Sequence, residues 1–161
     1  MGLVGRTSVT VYGSAGGHVY LEDAKLGVKV ASLAGNGTLV DAEISAVSSR
    51  IRPVYEVELD DGILAFRADL DQRFLEYVYR DSKLNWTKRQ KLYVGCYLVA
   101  QKPSSVGGIN RPFTKPYEKY FPEVVYPAKI TSIKPAGIDT VWALKIGSTH
   151  NFFGNGVVCH A

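Results

Sequence analysis

Hydrophobic and polar positions alternate with period two through most of the chain. Ser8-Val9-Thr10-Val11-Tyr12 is one such stretch; Gly13-Ser14-Ala15-Gly16-Gly17 and then His18-Val19-Tyr20-Leu21 follow it, which predicts strand, turn and strand. Glu22 to Leu26 fits a short helical turn ended by Gly27, and Val28 to Leu33 is the next strand, closed by Gly35-Asn36-Gly37. Leu39 to Ile51 alternates again until Pro53, which is expected to break it. Val54 to Leu59 and Ile63 to Phe66 flank Asp60-Asp61-Gly62, the clearest hairpin signal in the chain. Phe74 to Tyr79 and Lys91 to Ala100 read as strands, with a charged, exposed piece from Trp86 to Gln90 between them. Ala128 to Ile133, Thr140 to Ile146 and Val157 to His160 complete the set. Many short strands with Gly turns, and no long helical period, indicate an all-β fold.

Between Gln101 and Pro127 the alternation stops. Pro103, Pro112, Pro116, Pro122 and Pro127 break regular structure, and Ser104-Ser105-Val106-Gly107-Gly108 adds a flexible piece. A loop of that length in a compact domain marks function, disorder or an insertion site. The whole chain, 161 residues, is expected to form one domain over 1–161.

Composition changes this picture little. A hydrophobic share of 46%, with 10 Tyr and 16 Gly, suits a β-rich globular domain. The formal charge of +4 is mild and its basic residues are scattered, so nucleic acid is not an expected partner. No apolar run approaches the roughly 18 residues of a membrane span, and Met1-Gly2 opens no signal peptide. The two Cys, Cys96 and Cys159, show no metal spacing, so no metal or cofactor is expected. The default is a reduced, cytoplasmic chain, with a redox-sensitive pair as the alternative.

Three stretches could carry chemistry. The first is the pair His150 and His160, on a segment where apolar residues carry His160 almost to the last position. Two strand histidines with satisfied hydrogen bonds are the plain alternative; an imidazole beside a chain end also suits proton transfer at the peptide bond there. The second is Asp69-Leu70-Asp71-Gln72, two acids at the end of an apolar strand, which in isolation reads as a solvated turn. The third is the opening Gly2-Leu3-Val4-Gly5-Arg6-Thr7, apolar enough to be tucked in and without a nucleophile at its head. Cys159 beside His160 suggests a Cys/His hydrolase, but neighbours on a strand face opposite ways and are badly placed for mutual proton transfer.

Taken together these stretches resemble an intein, the self-splicing Hint domain. The usual C-terminal pattern is Val-Tyr-Asp, a short strand, Thr-His-Asn-Phe, a small residue, Asn-Gly, three apolar residues and His-Asn. Here it runs Val141-Trp142-Ala143, Thr149-His150-Asn151-Phe152, Asn155-Gly156, Val157-Val158-Cys159 and His160-Ala161. Gly2 falls on the position of the first nucleophile, and Leu3-Val4-Gly5 on the residues after it. Phe66 to Leu75 resembles the block that carries Thr and, three residues on, His; Leu92 to Leu98 resembles the strand after it. The segment 101–127 lies where inteins hold a homing endonuclease or are split, and it contains no endonuclease motif.

The resemblance implies a mini-intein, natively contiguous or split and fused, with a horseshoe-shaped fold of two β halves related by a pseudo-two-fold axis. It implies that the ends meet, and that the substrates are the chain's own flanking segments, with a complementary intein fragment as partner if the chain is natively split. His160 would assist cyclisation of a terminal Asn, and His150 would relay protons nearby. Four departures accompany it. Gly2 stands at the nucleophile position and Ala161 at the terminal Asn. Asp69 and Gln72 replace the activating Thr and His, and Ala143 an assisting Asp. Small residues at 2 and 161 imply deliberate inactivation. At Gly2 the alternative is natural variation, since a minority of inteins let a later residue attack directly. If Asp69 or Asp71 lies by the N-terminal junction, one of them is expected to take over part of the missing His role. Two other classes remain open: a basic β-barrel binding single-stranded nucleic acid through Tyr and Lys, for which Tyr77, Tyr79 and Arg80 hardly make the aromatic and basic face it needs, and a Hint-type domain, protease-like or of the hedgehog kind, that cleaves without ligating.

Overall fold

The computed structural model describes residues 2–11, 17–35, 37–78, 83–87, 92–102 and 125–161. Strands follow one another in the order β1 (Leu3–Val4), β2 (Ser8–Thr10), β3 (His18–Tyr20), β4 (Lys29–Leu33), β5 (Leu39–Leu59) and β6 (Leu64–Ala68). Then come β7 (Leu75–Val78), β8 (Lys83–Trp86), β9 (Tyr97–Gln101), β10 (Val125–Ile146), β11 (Asn151–Gly154) and β12 (Val157–His160). Leu21–Asp23 and Asp60–Gly62 are short 3-10 turns. Most of the loop expected at 101–127, part of the first Gly-rich turn, and Tyr79 and Arg80 lie outside the described residues.

The largest difference from the sequence reading is that two pairs of expected strands are single long ones. β5 continues through Pro53 to Leu59, and β10 joins Ala128–Ile133 to Thr140–Ile146. The two pair antiparallel from Ile130↔Leu59 to Ile146↔Ile44, with a register shift between Pro135↔Tyr55 and Ile138↔Pro53. That irregularity is where a strand tolerates residues without an amide hydrogen, and Gly137 at φ 82° takes up the bend. The hairpin at Asp60-Asp61-Gly62 is where it was expected, with all three residues at positive φ. β9 starts at Tyr97, later than the apolar run beginning at Lys91 suggests, because Gly95 at φ 102° turns the chain just before it.

Each long strand holds different partners at its two ends. β5 pairs β4 along its first part and β6 along its last, while β10 pairs β9 and then β1. This is the pseudo-two-fold arrangement of β halves, and it puts both ends of the chain into the middle of the sheet. β1 lies between β6 and β10, with Leu3 opposite both Ala68 and Trp142. β12 lies between β11 and β9.

β11 and β12 explain why the last strands show no alternation. Phe152, Val157 and Cys159 belong to one apolar cluster, and Phe153 and Val158 to a second on the opposite face. A strand covered on both faces is apolar throughout. Burying each such side chain stabilises the fold by about 1.5–3 kcal/mol, so the C-terminal segment is firmly anchored up to Cys159.

Candidate functional site

β1 ends its pairing at Leu3, and because Leu3 lies opposite Ala68, Gly2 comes to rest against Asp69. The Gly2 N–H donates to Asp69 Oδ1 at 3.2 Å, and the Asp69 N–H donates back to the Gly2 carbonyl at 3.1 Å. The same Oδ1 accepts the N–H groups of Asp71 at 3.1 Å and Gln72 at 3.0 Å. Three amides therefore converge on one oxygen of a buried carboxylate, which is how a tight turn after a strand satisfies its own donors. Arg52, from the middle of β5, closes the other side: its Nη2 is 2.8 Å from Asp71 Oδ2 and its Nε 4.0 Å from Asp69 Oδ2. The expected solvated turn at Asp69-Leu70-Asp71-Gln72 is thus half right. Leu70 is exposed, but Asp69 and Gln72 are buried.

The same turn holds the other end of the chain. Gln72 Nε2 donates to the His160 carbonyl at 2.9 Å, and the His160 N–H donates to the Arg73 carbonyl at 2.9 Å. Phe74 bridges to Cys159 on the next pair. One five-residue segment, Asp69 to Arg73, is bonded to Gly2 at its start and to His160 at its end. The expectation that the two ends meet at one place is met through this segment.

His150 arrives by a different route. It sits at φ 54°, a left-handed conformation in which His is enriched. Its carbonyl accepts the Ala161 N–H at 2.8 Å. His160 is half-buried and packs edge-on against Trp86, ring centres 4.8 Å apart. Burial holds its imidazole below the ordinary value; the Arg73 cation and His150 push in the same direction, and the Ala161 backbone opposes them. Its Nδ1 is buried with no hydrogen-bond partner among the described residues. A neutral imidazole beside residue 161 can accept a proton or donate one according to its tautomer.

Ala143 lies on β10 opposite Ser48, one residue beyond the Trp142 that faces Leu3. Its methyl cannot hydrogen-bond. Gly2 is tightly walled: a Cβ there would stand 2.9 Å from the Trp142 carbonyl oxygen, 3.0 Å from Val141 Cβ and 3.1 Å from the Trp142 nitrogen.

Sequence reading did not single out Arg52, Arg73 or Trp86. Arg52 sits mid-strand, far from any motif, and gave no signal. Arg73 directly follows Gln72 and could have been found from that adjacency. Trp86, expected to be exposed, is half-buried because Arg73 Nε donates to the Thr87 carbonyl at 3.0 Å and Thr87 Oγ1 accepts the Phe74 N–H at 2.9 Å, tying the end of β8 to the site. Residues 88–90 lie outside the described residues.

Two alternatives lose support here. Cys159 points into the core and burial pushes its thiol up to about 12, so no thiolate is available to His160. Cys96 is also a buried free thiol, pushed up to about 11. Tyr77 is buried, so it offers no stacking face to a nucleic acid base. No helix among the described residues is long and apolar enough to cross a membrane.

No protein-family model and no curated protein sequence matches the chain. Solved structures do. A variant of the Ssp DnaB mini-intein superposes with a TM-score of 0.80 at 19% identity, over 99% of this chain and 92% of that one. The DnaB intein of Synechocystis gives 0.74 at 19%, over 99% and 97%. The intein-like domain from Clostridium thermocellum gives 0.71 at 14%, over 99% and 96%. At these identities the likeness establishes the all-β fold these structures share.

Proposed function

We propose that this chain, which has the fold of the inteins, is a protein-splicing element: it excises itself and joins the segments that flank it. The observation that carries the reading is the segment Asp69 to Arg73, hydrogen-bonded to Gly2 at one end and to His160 at the other. Splicing requires two distant peptide bonds to be held together, and a fixed scaffold between them supplies the proximity that such a reaction needs.

The roles follow from the atoms. At the N-terminal junction a hydroxyl or thiol on residue 2 would attack the preceding carbonyl. A C–O or C–S bond forms, the C–N bond breaks, and the proton of the nucleophile must reach the departing nitrogen. Asp69 Oδ1 accepts that nitrogen's hydrogen at 3.2 Å, and the role we assign to its carboxylate is to carry the proton from one atom to the other. Gln72 cannot transfer protons at neutral pH; it orients the His160 carbonyl instead. Asp71 keeps Arg52 against this turn.

At the C-terminal junction the side-chain amide of an Asn at 161 would attack its own carbonyl, close a succinimide and release an amine that needs a proton. His160 would supply it or polarise the carbonyl, with His150 alongside. With Gly2 and Ala161 in place neither step can run, because neither side chain has a group to attack with. Ala143 likewise supplies no acid. A flanking segment on each side is the substrate, and a complementary fragment is the partner if the chain is made as two pieces divided within 101–127.

The test is restoration. Ala161→Asn with Gly2→Cys, flanked by peptides and followed by Cys, Ser or Thr, should yield a joined flanking product by mass spectrometry. Cleavage of either junction without joining would move the assignment to an autoprocessing domain that does not ligate. No cleavage and no joining in any restored chain would overturn the reading.

A further inference from the structure

Outside the residues already assigned, one buried polar cluster stands apart. Ser32 on β4 is fully buried, and its Oγ lies 2.6 Å from Thr149 Oγ1, 2.8 Å from the Asn151 carbonyl and 2.8 Å from Asn151 Oδ1. Asn151, also buried, pairs its side chain with the backbone of Leu33: Oδ1 accepts the Leu33 N–H at 2.8 Å and Nδ2 donates to the Leu33 carbonyl at 2.9 Å. Nδ2 donates a second time, to the Thr149 carbonyl at 3.0 Å. An amide side chain that returns a donor and an acceptor to one residue imitates a strand neighbour, and here it grips β4.

The cluster brackets His150. Thr149 and Asn151, the residues on either side of it, are both tied to β4, while His150 itself is exposed and left-handed at φ 54°. A non-glycine residue holds that conformation only when its neighbours fix it. The conformation matters because the His150 carbonyl is the acceptor for the Ala161 N–H.

We infer that Ser32, Thr149 and Asn151 form a positioning clamp for the reacting C-terminal residue: they fix the backbone at His150, and His150 fixes the amide of residue 161. In the splicing reading, on which the functional consequence rests, the clamp sets the angle at which the side chain of residue 161 meets its own carbonyl. None of the three touches a reacting atom; they act through the His150 backbone.

The test is hydrogen exchange in the chain as it stands, followed residue by residue by NMR. Ser32→Ala removes one hydroxyl from the centre of the cluster, Thr149→Val removes the other at constant shape, and Thr149→Ser restores it. Loss of a net hydrogen bond of about 1.4 kcal/mol corresponds to a tenfold change. The Ala161 amide should therefore exchange about tenfold faster in Ser32→Ala and Thr149→Val and return toward the parent rate in Thr149→Ser, while the amides of Val99 and Phe153 stay protected. An equal acceleration at all these amides would reduce the cluster to general stability and overturn the clamp, as would an unchanged Ala161 amide. A second arm uses Ala161→Asn with an added downstream peptide: Ser32→Ala should slow C-terminal cleavage about tenfold and leave thiol-induced cleavage at a restored Gly2→Cys junction unchanged. If the restored parent does not cleave at all, the splicing reading fails, and the exchange rates still decide the clamp.

Discussion

Replacing Gly2 by Ala sets two opposed effects against each other. Gly2 is not in the left-handed region, so a Cβ is conformationally acceptable there, and Gly→Ala at a compatible site stabilises by about 0.4–1 kcal/mol through the unfolded chain. Space decides otherwise. The new Cβ would stand 2.9 Å from the Trp142 carbonyl oxygen and 3.0 Å from Val141 Cβ. Both belong to the centre of β10, paired with β5 through Val141↔Arg50 and Trp142↔Ser49, so they cannot retreat; β1 must. Overpacking of this kind costs about 1–3 kcal/mol. Drawing β1 back also stretches the two hydrogen bonds between Gly2 and Asp69, each worth about 1 kcal/mol. The net expectation for Gly2→Ala is a loss of about 1–2 kcal/mol, seen as a lower urea midpoint at unchanged slope and a fall in Tm of about 2–8 °C. Gly147→Ala is the control, since nothing lies within 4 Å of a Cβ there and its φ is not left-handed; it should be neutral or gain stability. A Gly2→Ala chain as stable as Gly147→Ala would refute the crowding. The result bears on function because Cys or Ser at position 2 brings the same Cβ. In the proposed reading, a nucleophile placed there would start from a strained junction.

Asp69→Ala leaves three N–H groups without their acceptor, at about 1–3 kcal/mol each, and should be among the most destabilising single changes in the turn. Arg52→Ala removes the counter-charge of Asp71 and of the buried Asp69 but leaves every amide its acceptor, and should cost about 1–3 kcal/mol, less than Asp69→Ala; equal losses for the two in urea denaturation would contradict the amide count. His160 is held below 6.5 in the fold, so between its folded value and 6.5 the unfolded chain binds more protons. Stability should therefore fall as pH drops through 6.5, and His160→Gln should flatten that part of the profile; a parent more stable at pH 5 than at pH 7 by virtue of His160 would reverse the sign. Cys96 and Cys159 should resist a thiol reagent at pH 8 until the chain unfolds, and fast reaction of either in the native state would show that its burial is wrong.

The strands were legible because alternation reports one covered face, and the hairpin because Asp60-Asp61-Gly62 supplies positive φ. The merging of strands into β5 and β10 was not, since Pro53 and Pro135 look like stops unless a register shift at their own positions removes the need for their amides. At the site, His150 and His160 stood out through the resemblance, and the nearness of Asp69 to Gly2 was only a conditional expectation, for which the hydrogen bond between them supplies the condition. Arg52 was not legible, because a mid-strand arginine on a ribbon gives no local signal of what stands opposite. Asn151 belongs to a recognised motif, yet its pairing with Leu33 spans 118 positions, and no short-range pattern contains that.

Asp69 Oδ1 accepts the Gly2 N–H, while Gln72 Nε2 reaches past it to donate to the His160 carbonyl. Those two residues are successive acceptor and donor in one chain of bonds, since the Gln72 N–H is itself held by Asp69 Oδ1. The geometry of the last residue thus depends on a turn whose first duty is to the second residue. Asp69 and Gln72 together link Gly2 to the His160 carbonyl through one short run of hydrogen bonds. Ends that are linked by rigid hydrogen bonds can be kept in register without either of them reacting. The meeting of the two ends therefore survives with Gly2 and Ala161 in place.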